Sequence, residues 1–204
     1  DPGAAGGEVA GIVTRVGSSV NHLQIGDVVF GVGRKQSCFA DYVVTKALLV
    51  GKAVENRHDF ATLASLPVVA LTTEYSFYHL TSIKPKQKIL IHAGAGGVGL
   101  IATQYALNAG CEVYVTCSDP KRRYIDKRVA GIANSRDAED YRREFGDIRF
   151  DVILNSLSDE YISYGFDQLV PGGCFIEIGK RNIWSTEQAN QYRSDVKYHT
   201  VAID

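Results

Sequence analysis

Two periods of apolar residues run along this chain, and the change from one to the other divides it. Over residues 7–50, short apolar stretches alternate loosely and glycine punctuates them. Residues 8–13, 28–30 and 39–44 read as strands and Gly26-Asp27 as a turn, which predicts a small barrel-like β unit. Over 63–80, apolar and small residues recur at three- and four-residue intervals, the spacing of a helix face, with Pro67 near the start of a second helix. Tyr75, Phe77 and Tyr78 are expected to pack on this helical bridge rather than to form a binding platform.

From Lys88 onward, apolar runs of strand length alternate with helix-patterned segments. Ile89-Leu90-Ile91 ends in His92-Ala93, a glycine turn follows, and a helical segment leads to a second buried run at 113–117. Helices are predicted over 120–129, 137–145 and 157–169, the last stopped by Pro171-Gly172-Gly173. Strands are predicted near 132–134, 150–154, 174–178 and 200–203, and the polar run 185–193 reads as a mobile loop. Mostly apolar strands alternating with helices are the mark of a parallel sheet covered on both faces. The expected class is α/β, a doubly wound parallel Rossmann-type sheet preceded by the β unit.

The glycine turn supplies candidate chemistry. In Gly94-Ala95-Gly96-Gly97-Val98-Gly99, Gly94 permits the turn, Gly96 lets a pyrophosphate approach the backbone, and Gly99 lets helix and strand pack closely. The phosphates would meet unpaired N–H groups at a helix start. The end of the next strand sets the choice between nicotinamide cofactors, because an acid there bonds the ribose of NAD and repels a 2′-phosphate. Here Ser118 is followed by Lys121, Arg122 and Arg123, which suits NADPH, while Asp119 is the dissenting residue. A solvated first helix turn is the alternative for these cations, although cations oppose the dipole at a helix start.

Composition narrows the classes. The 204 residues are 45% hydrophobic and 22% charged with a net charge of -1, enough for one large domain or two small ones. No charge imbalance points to nucleic acid or an anionic membrane surface. No apolar run reaches the roughly 18 residues of a membrane span, and no signal peptide is visible. Cys38, Cys111, Cys117 and Cys174 are scattered, as in reduced core thiols of a cytoplasmic protein. The five histidines show no ligand spacing, and His92 reads as a satisfied buried ring rather than a base. Asp1-Pro2-Gly3 opens as if mid-loop and Asp204 follows a predicted strand, so the chain is expected to be an excised piece.

These residues resemble the medium-chain dehydrogenase/reductase superfamily, on Gly7-Glu8-Val9-Ala10-Gly11, Val16-Gly17, Gly26-Asp27-Val28 and Gly96-Gly97-Val98-Gly99. Three longer strings are similar to the enoyl reductase domains of modular polyketide synthases and animal fatty acid synthase: the run His92 to Gly99, Leu154-Asn155-Ser156-Leu157, and Phe175-Ile176-Glu177-Ile178-Gly179-Lys180. Asn134-Ser135-Arg136-Asp137 and Lys121-Arg122 also look like that subgroup. The resemblance implies part of a GroES-like substrate domain over 1–65 and an NADP-binding Rossmann domain, incomplete at its C-terminus, over 66–204. Gly7 stands where zinc-dependent members carry a histidine, so no metal is expected.

The reaction implied is reduction by NADPH of a trans-2-enoyl thioester on an acyl carrier protein, among neighbouring synthase domains; a homo-oligomer is compatible. Lys180 and Asp204 match the family's proposed proton-delivery pair, with a surface salt bridge as the plain alternative. Arg136, Asn155, Ser156 and Gly179 join the cofactor-binding set, although Ser156 could instead cap the next helix. The upstream tyrosine donor of many polyketide enzymes is not in this chain, so it is expected to bind NADPH and reduce acyl substrates poorly. A free-standing quinone or enone reductase and a non-catalytic scaffold are the competing readings.

Overall fold

The structure, a computed structural model of the chain, describes residues 5–33, 38–54 and 57–203. They fall into two compact units divided in the sequence between Leu71 and Thr72. In the first, β1 (Glu8–Ile12), β2 (Val28–Val32) and β3 (Val50–Lys52) form an antiparallel sheet in that order. Residues 39–44 form no strand. Phe39, Tyr42 and Val44 are 78–89% exposed, because their alternating pattern finds no strand to pair with among the described residues. Helix α1 (Phe60–Ala64) is capped by Asp59, and α2 (Pro67–Glu74) opens on its proline, where a missing N–H is no loss. The Glu8 carboxylate accepts the Val68 N–H at 2.9 Å, so β1 satisfies one of the donors at the start of α2.

After α2 the backbone continues as a π-helical segment (Tyr75–Leu80), on which Phe77 is fully buried in the core and Leu80 packs against it; Tyr75 and Tyr78 are half exposed beside His79. Six strands then follow: β4 (Lys88–Ile91), β5 (Glu112–Cys117), β6 (Gly131–Asn134), β7 (Phe150–Asn155), β8 (Leu169–Glu177) and β9 (Lys197–Thr200). All pair in parallel, in the order β6-β5-β4-β7-β8-β9, which is the doubly wound topology the alternation predicts. Helix α3 (Gly97–Asn108) and Phe77 cover one face through Ala102 and Ala106. Helices α4 (Ala138–Phe145), α5 (Glu160–Gln168) and α6 (Thr186–Tyr192) cover the other through Tyr141, Phe145, Ile162, Phe166 and Ala189. Among the described residues no helix is long and apolar enough to cross a membrane.

Four local expectations differ from what forms. The helix expected over 120–129 is a 3-10 turn, Asp119–Tyr124, because Ile125 is already extended and Asp126 bonds the Arg128 N–H. Helix α5 starts at Glu160, since Asp159 has φ +60°, and Leu169 passes straight into β8. Pro171-Gly172-Gly173 therefore lies within that strand, where its register against β7 shifts. The last strand ends at Thr200 rather than beginning there. The polar run 185–193 is a helix, not a loop: Ser185 and Gln188 form a reciprocal capping box, and Ala189 is buried.

Two outcomes test this packing. A methyl at Gly99 would sit 2.6 Å from Gly94 Cα and closer still to Ala93 O, and backbone cannot yield as a side chain can. Gly99→Ala is expected to lower the urea midpoint by the equivalent of about 1–3 kcal/mol without changing the slope. Ser185→Ala removes the α6 cap and should cost about 1 kcal/mol in the same experiment.

Candidate functional site

The buried run of β4 ends in a turn that needs unusual backbone. Ala93 has φ +51°, a conformation that costs an L-residue roughly 1–2 kcal/mol, and two bonds from β5 hold it. The Ala93 N–H donates to Thr116 Oγ1 at 3.0 Å, and the Gly94 N–H donates to the Thr116 carbonyl at 2.7 Å. Gly94 must be glycine for space, because a Cβ there would lie 2.7 Å from Val115 Cβ. Gly96 is the N-cap of α3, and its carbonyl takes the first helical bond from the Leu100 N–H at 2.9 Å. The N–H groups of Gly97, Val98 and Gly99 form the first turn, where no carbonyl of the helix can accept them and the dipole is positive.

At the end of β5, Ser118 is half-buried and opens the 3-10 turn, with its carbonyl accepting the Lys121 N–H at 2.9 Å. Lys121 is exposed and makes no ion pair among the described residues. Asp119 is fully engaged: one oxygen accepts Arg122 Nε at 2.9 Å and the other accepts Asn134 Nδ2 at 3.0 Å. Arg122 also reaches Asp140 at 3.7 Å. Asn134 Oδ1 accepts the Arg136 N–H, which ties β6 to the same corner, and the Arg136 side chain is exposed. The segments after β5 and β6 thus carry Lys121, Arg122, Arg123 and Arg136, and the acid in that stretch, Asp119, is already bonded.

A string of buried polar groups crosses the point where strand order reverses, between β4 and β7. Asn155 Nδ2 donates to Glu177 Oε2 at 2.6 Å and to the Leu157 carbonyl at 2.8 Å, which leaves Asn155 Oδ1 as the acceptor for His92 Nδ1 at 2.6 Å. His92 is therefore the Nδ1–H tautomer as inferred from its partners, and burial holds its pKa at about 4, so the ring is neutral near pH 7. Its Nε2 is buried with no partner, so the ring is only half satisfied, contrary to the expectation from sequence. Glu177 Oε1 accepts the Gly179 N–H at 2.6 Å. Ser156 Oγ lies 3.5 Å from the His92 carbonyl and caps no helix.

The described residues singled out from sequence all follow C-terminal ends of strands: 94–99 after β4, Ser118 to Arg122 after β5, Arg136 after β6, Ser156 after β7 and Gly179 with exposed Lys180 after β8, while Asn155 is the last residue of β7. Asp204 lies outside the described residues. The side chain of Asn155 is fully buried and bonded inward, so what it does is hold its neighbours. Sequence reasoning missed Thr116 and Glu177. Each is a polar residue within an apolar strand run, and that was the available signal. A cavity of about 630 Å³ in the first unit, bounded by Ile12, Leu23 and Val44, contains none of these groups.

A family model described as zinc-binding dehydrogenase matches residues 97–202. The pikromycin polyketide synthase component PikAII of Streptomyces venezuelae is 39% identical over 204 residues, 97% of this chain and 5% of that protein. Among solved structures, the CurK enoyl reductase is 35% identical with a TM-score of 0.82, over 96% of this chain and 60% of that one. An Escherichia coli quinone oxidoreductase complexed with NADPH is 26% identical with a TM-score of 0.80, over 97% of this chain and 63% of that one. The chain thus spans less than two thirds of each of these proteins. Although the family description names zinc, among the described residues no three His, Cys, Asp or Glu side chains are grouped to hold a metal ion. The sheet order, the glycine turn and these similarities together make the chain a member of the zinc-binding dehydrogenase family, within the medium-chain dehydrogenase/reductase superfamily and of the type found as enoyl reductase domains in polyketide synthases.

Proposed function

We propose that this chain binds NADPH along the C-terminal edge of its parallel sheet and reduces the double bond of a trans-2-enoyl thioester carried by an acyl carrier protein during polyketide or fatty acid extension. The observation that carries the reading is the start of α3, three backbone donors behind a turn with no room for a Cβ at Gly94 or Gly99, on the same edge as Lys121 and Lys180. Backbone from Gly94, Ala95, Gly96, Gly97, Val98 and Gly99 would hold the pyrophosphate. Ser118, Lys121, Arg122 and Arg136 would surround the 2′-phosphate, and the engagement of Asp119 with Arg122 and Asn134 supports that choice over NAD. Asn155, Ser156 and Gly179 would border the nicotinamide side.

When bound, NADPH supplies the hydride that adds to the β-carbon of the enoyl group. The π electrons then move toward the thioester oxygen, and the substrate enolate needs a proton at its α-carbon. Lys180 is placed in this reading as the donor: its ammonium gives up one proton, offsets the negative charge beforehand, and is reprotonated from water. Asp204 would hold that ammonium. The likeness to a quinone oxidoreductase favours one second reading, a reductase of diffusible quinones or enones, and a direct comparison of a carrier-linked crotonyl group with a small quinone separates the two.

Lys121→Glu is expected to raise the Kd for NADPH roughly tenfold or more while changing that for NADH less than about threefold, measured by fluorescence titration; equal losses would remove the phosphate assignment. Lys180→Met should lower kcat for crotonyl thioester about 10²-fold or more with the NADPH Kd unchanged, and a kcat like that of the unmodified chain would strike the donor role.

A further inference from the structure

Glu177 is fully buried at the end of β8, one turn of chain before Lys180, and nothing in the reductase chemistry above uses it. No cation pairs with it among the described residues. A buried carboxylate without a cation is costly unless its oxygens are filled, and here they are filled by neutral donors only: Asn155 Nδ2 on one and the Gly179 N–H on the other, both at 2.6 Å. The backbone around it is tied from both sides. The Ile178 N–H donates to the Asn155 carbonyl at 2.9 Å, and the Val201 N–H donates to the Glu177 carbonyl at 2.8 Å.

We propose that Glu177 is a positioning residue for Lys180: its ionised carboxylate clamps the Gly179 N–H and the Asn155 amide, fixes the strand end that carries the lysine, and lets go when it takes up a proton. The catalytic half of this inference rests on the proton-donor role given to Lys180 above. The logic is one of donors. Both oxygens accept N–H groups; protonation turns one of them into a hydroxyl, a weaker acceptor whose own O–H needs room beside that donor, so the hold on that side loosens. The groups facing Glu177 leave it as the titrating member. Across β7, Asn155 does not titrate, and beyond it His92 is neutral near pH 7. On β9, Thr200 is its register partner, and Tyr198 on the same face has a phenol pushed up to about 12, first by burial and then by Glu177 itself. From the helices, Tyr141 and Tyr161 approach the His92 ring, at 5.8 and 6.4 Å, while Glu160 is turned to Tyr164 and Arg142.

Burial pushes the Glu177 carboxyl up to about 7, against the opposing pull of Asn155 and Gly179. The sign separates positioning from stability. A folded value above the unfolded one gives a stability contribution that is complete below the ordinary carboxylate range and is lost as pH rises through about 7. Positioning runs the other way, present above about 7 and lost below it. A merely structural carboxylate has no reason to show opposed profiles.

The test compares the unmodified chain with Glu177→Gln and Glu177→Asp, using NADPH and a crotonyl thioester of pantetheine from pH 5.5 to 8.5. The kcat of the unmodified chain should fall about tenfold per pH unit on the acid side of neutrality, with KM and the NADPH Kd nearly flat. Glu177→Gln should lose that limb and run about tenfold or more below the unmodified plateau, and Glu177→Asp should recover part of both. Superimposable profiles for the unmodified chain and Glu177→Gln would overturn the proposal. Amide hydrogen exchange at Gly179, read without substrate, keeps the two readings apart. Protection that drops about tenfold between pH 8 and pH 6, and is low throughout in Glu177→Gln, supports the clamp even where no thioester is reduced, a result that strikes only the reductase reading. Protection that is equal in both proteins and indifferent to pH overturns the clamp whatever the kinetics show.

Discussion

Thr116 decides where the first turn of α3 can lie. Its hydroxyl and its carbonyl take the N–H groups of Ala93 and Gly94, and those two bonds hold an alanine in the left-handed region. Without them the chain leaving β4 would relax toward an ordinary turn, and the helix would start somewhere else. With them, the donors of Gly97 to Gly99 are aimed over the sheet edge before any ligand arrives. The tight fit of Gly94 against Val115 and of Gly99 against Gly94 comes from the same demand, that a helix start close to a sheet it must also cover.

A second constraint acts three strands away in the sheet, at β8, and has the opposite character. The β5 clamp uses uncharged groups and is indifferent to pH, whereas the clamp at β8 uses a carboxylate in a dry place. Keeping Glu177 ionised works against the fold, and keeping it protonated works against the strand end beyond it. Conflicts of this kind are where a sequence departs from what stability alone would select.

The large features were legible in the sequence because they are periodic. Apolar runs of strand length separated by helical spacing give the parallel sheet, and the run from Ile89 to Gly99 gives strand, turn and helix in order. Features that depend on single polar contacts were not. The helix at Thr186–Tyr192 has little apolar stripe to announce it; its evidence was the Ser185 and Gln188 spacing, a cap signature that a polar composition concealed. Residues 39–44 have the pattern of a strand but no partner among the described residues, and pairing is not written in one segment. Asp119 read as an obstacle to a 2′-phosphate, since a sequence cannot say that Arg122 and Asn134 already hold both its oxygens. Thr116 and Glu177 were passed over because a lone polar residue in an apolar run looks like tolerance until its bonds are seen.

The string from His92 through Asn155 to Glu177 laces three strand ends across the reversal of strand order. Crevices at such points are where open α/β sheets take their ligands. Here the floor of the crevice is stitched shut by hydrogen bonds of its own, so little of it has to be ordered when a molecule settles there. In the proposed reading, the entropy lost on binding would fall on long exposed side chains around the rim such as Lys121 and Arg136, which would give up rotamers to meet the ligand. On that reading, affinity at this edge would be adjustable by changes at the rim, while the floor sets the geometry that every such adjustment inherits.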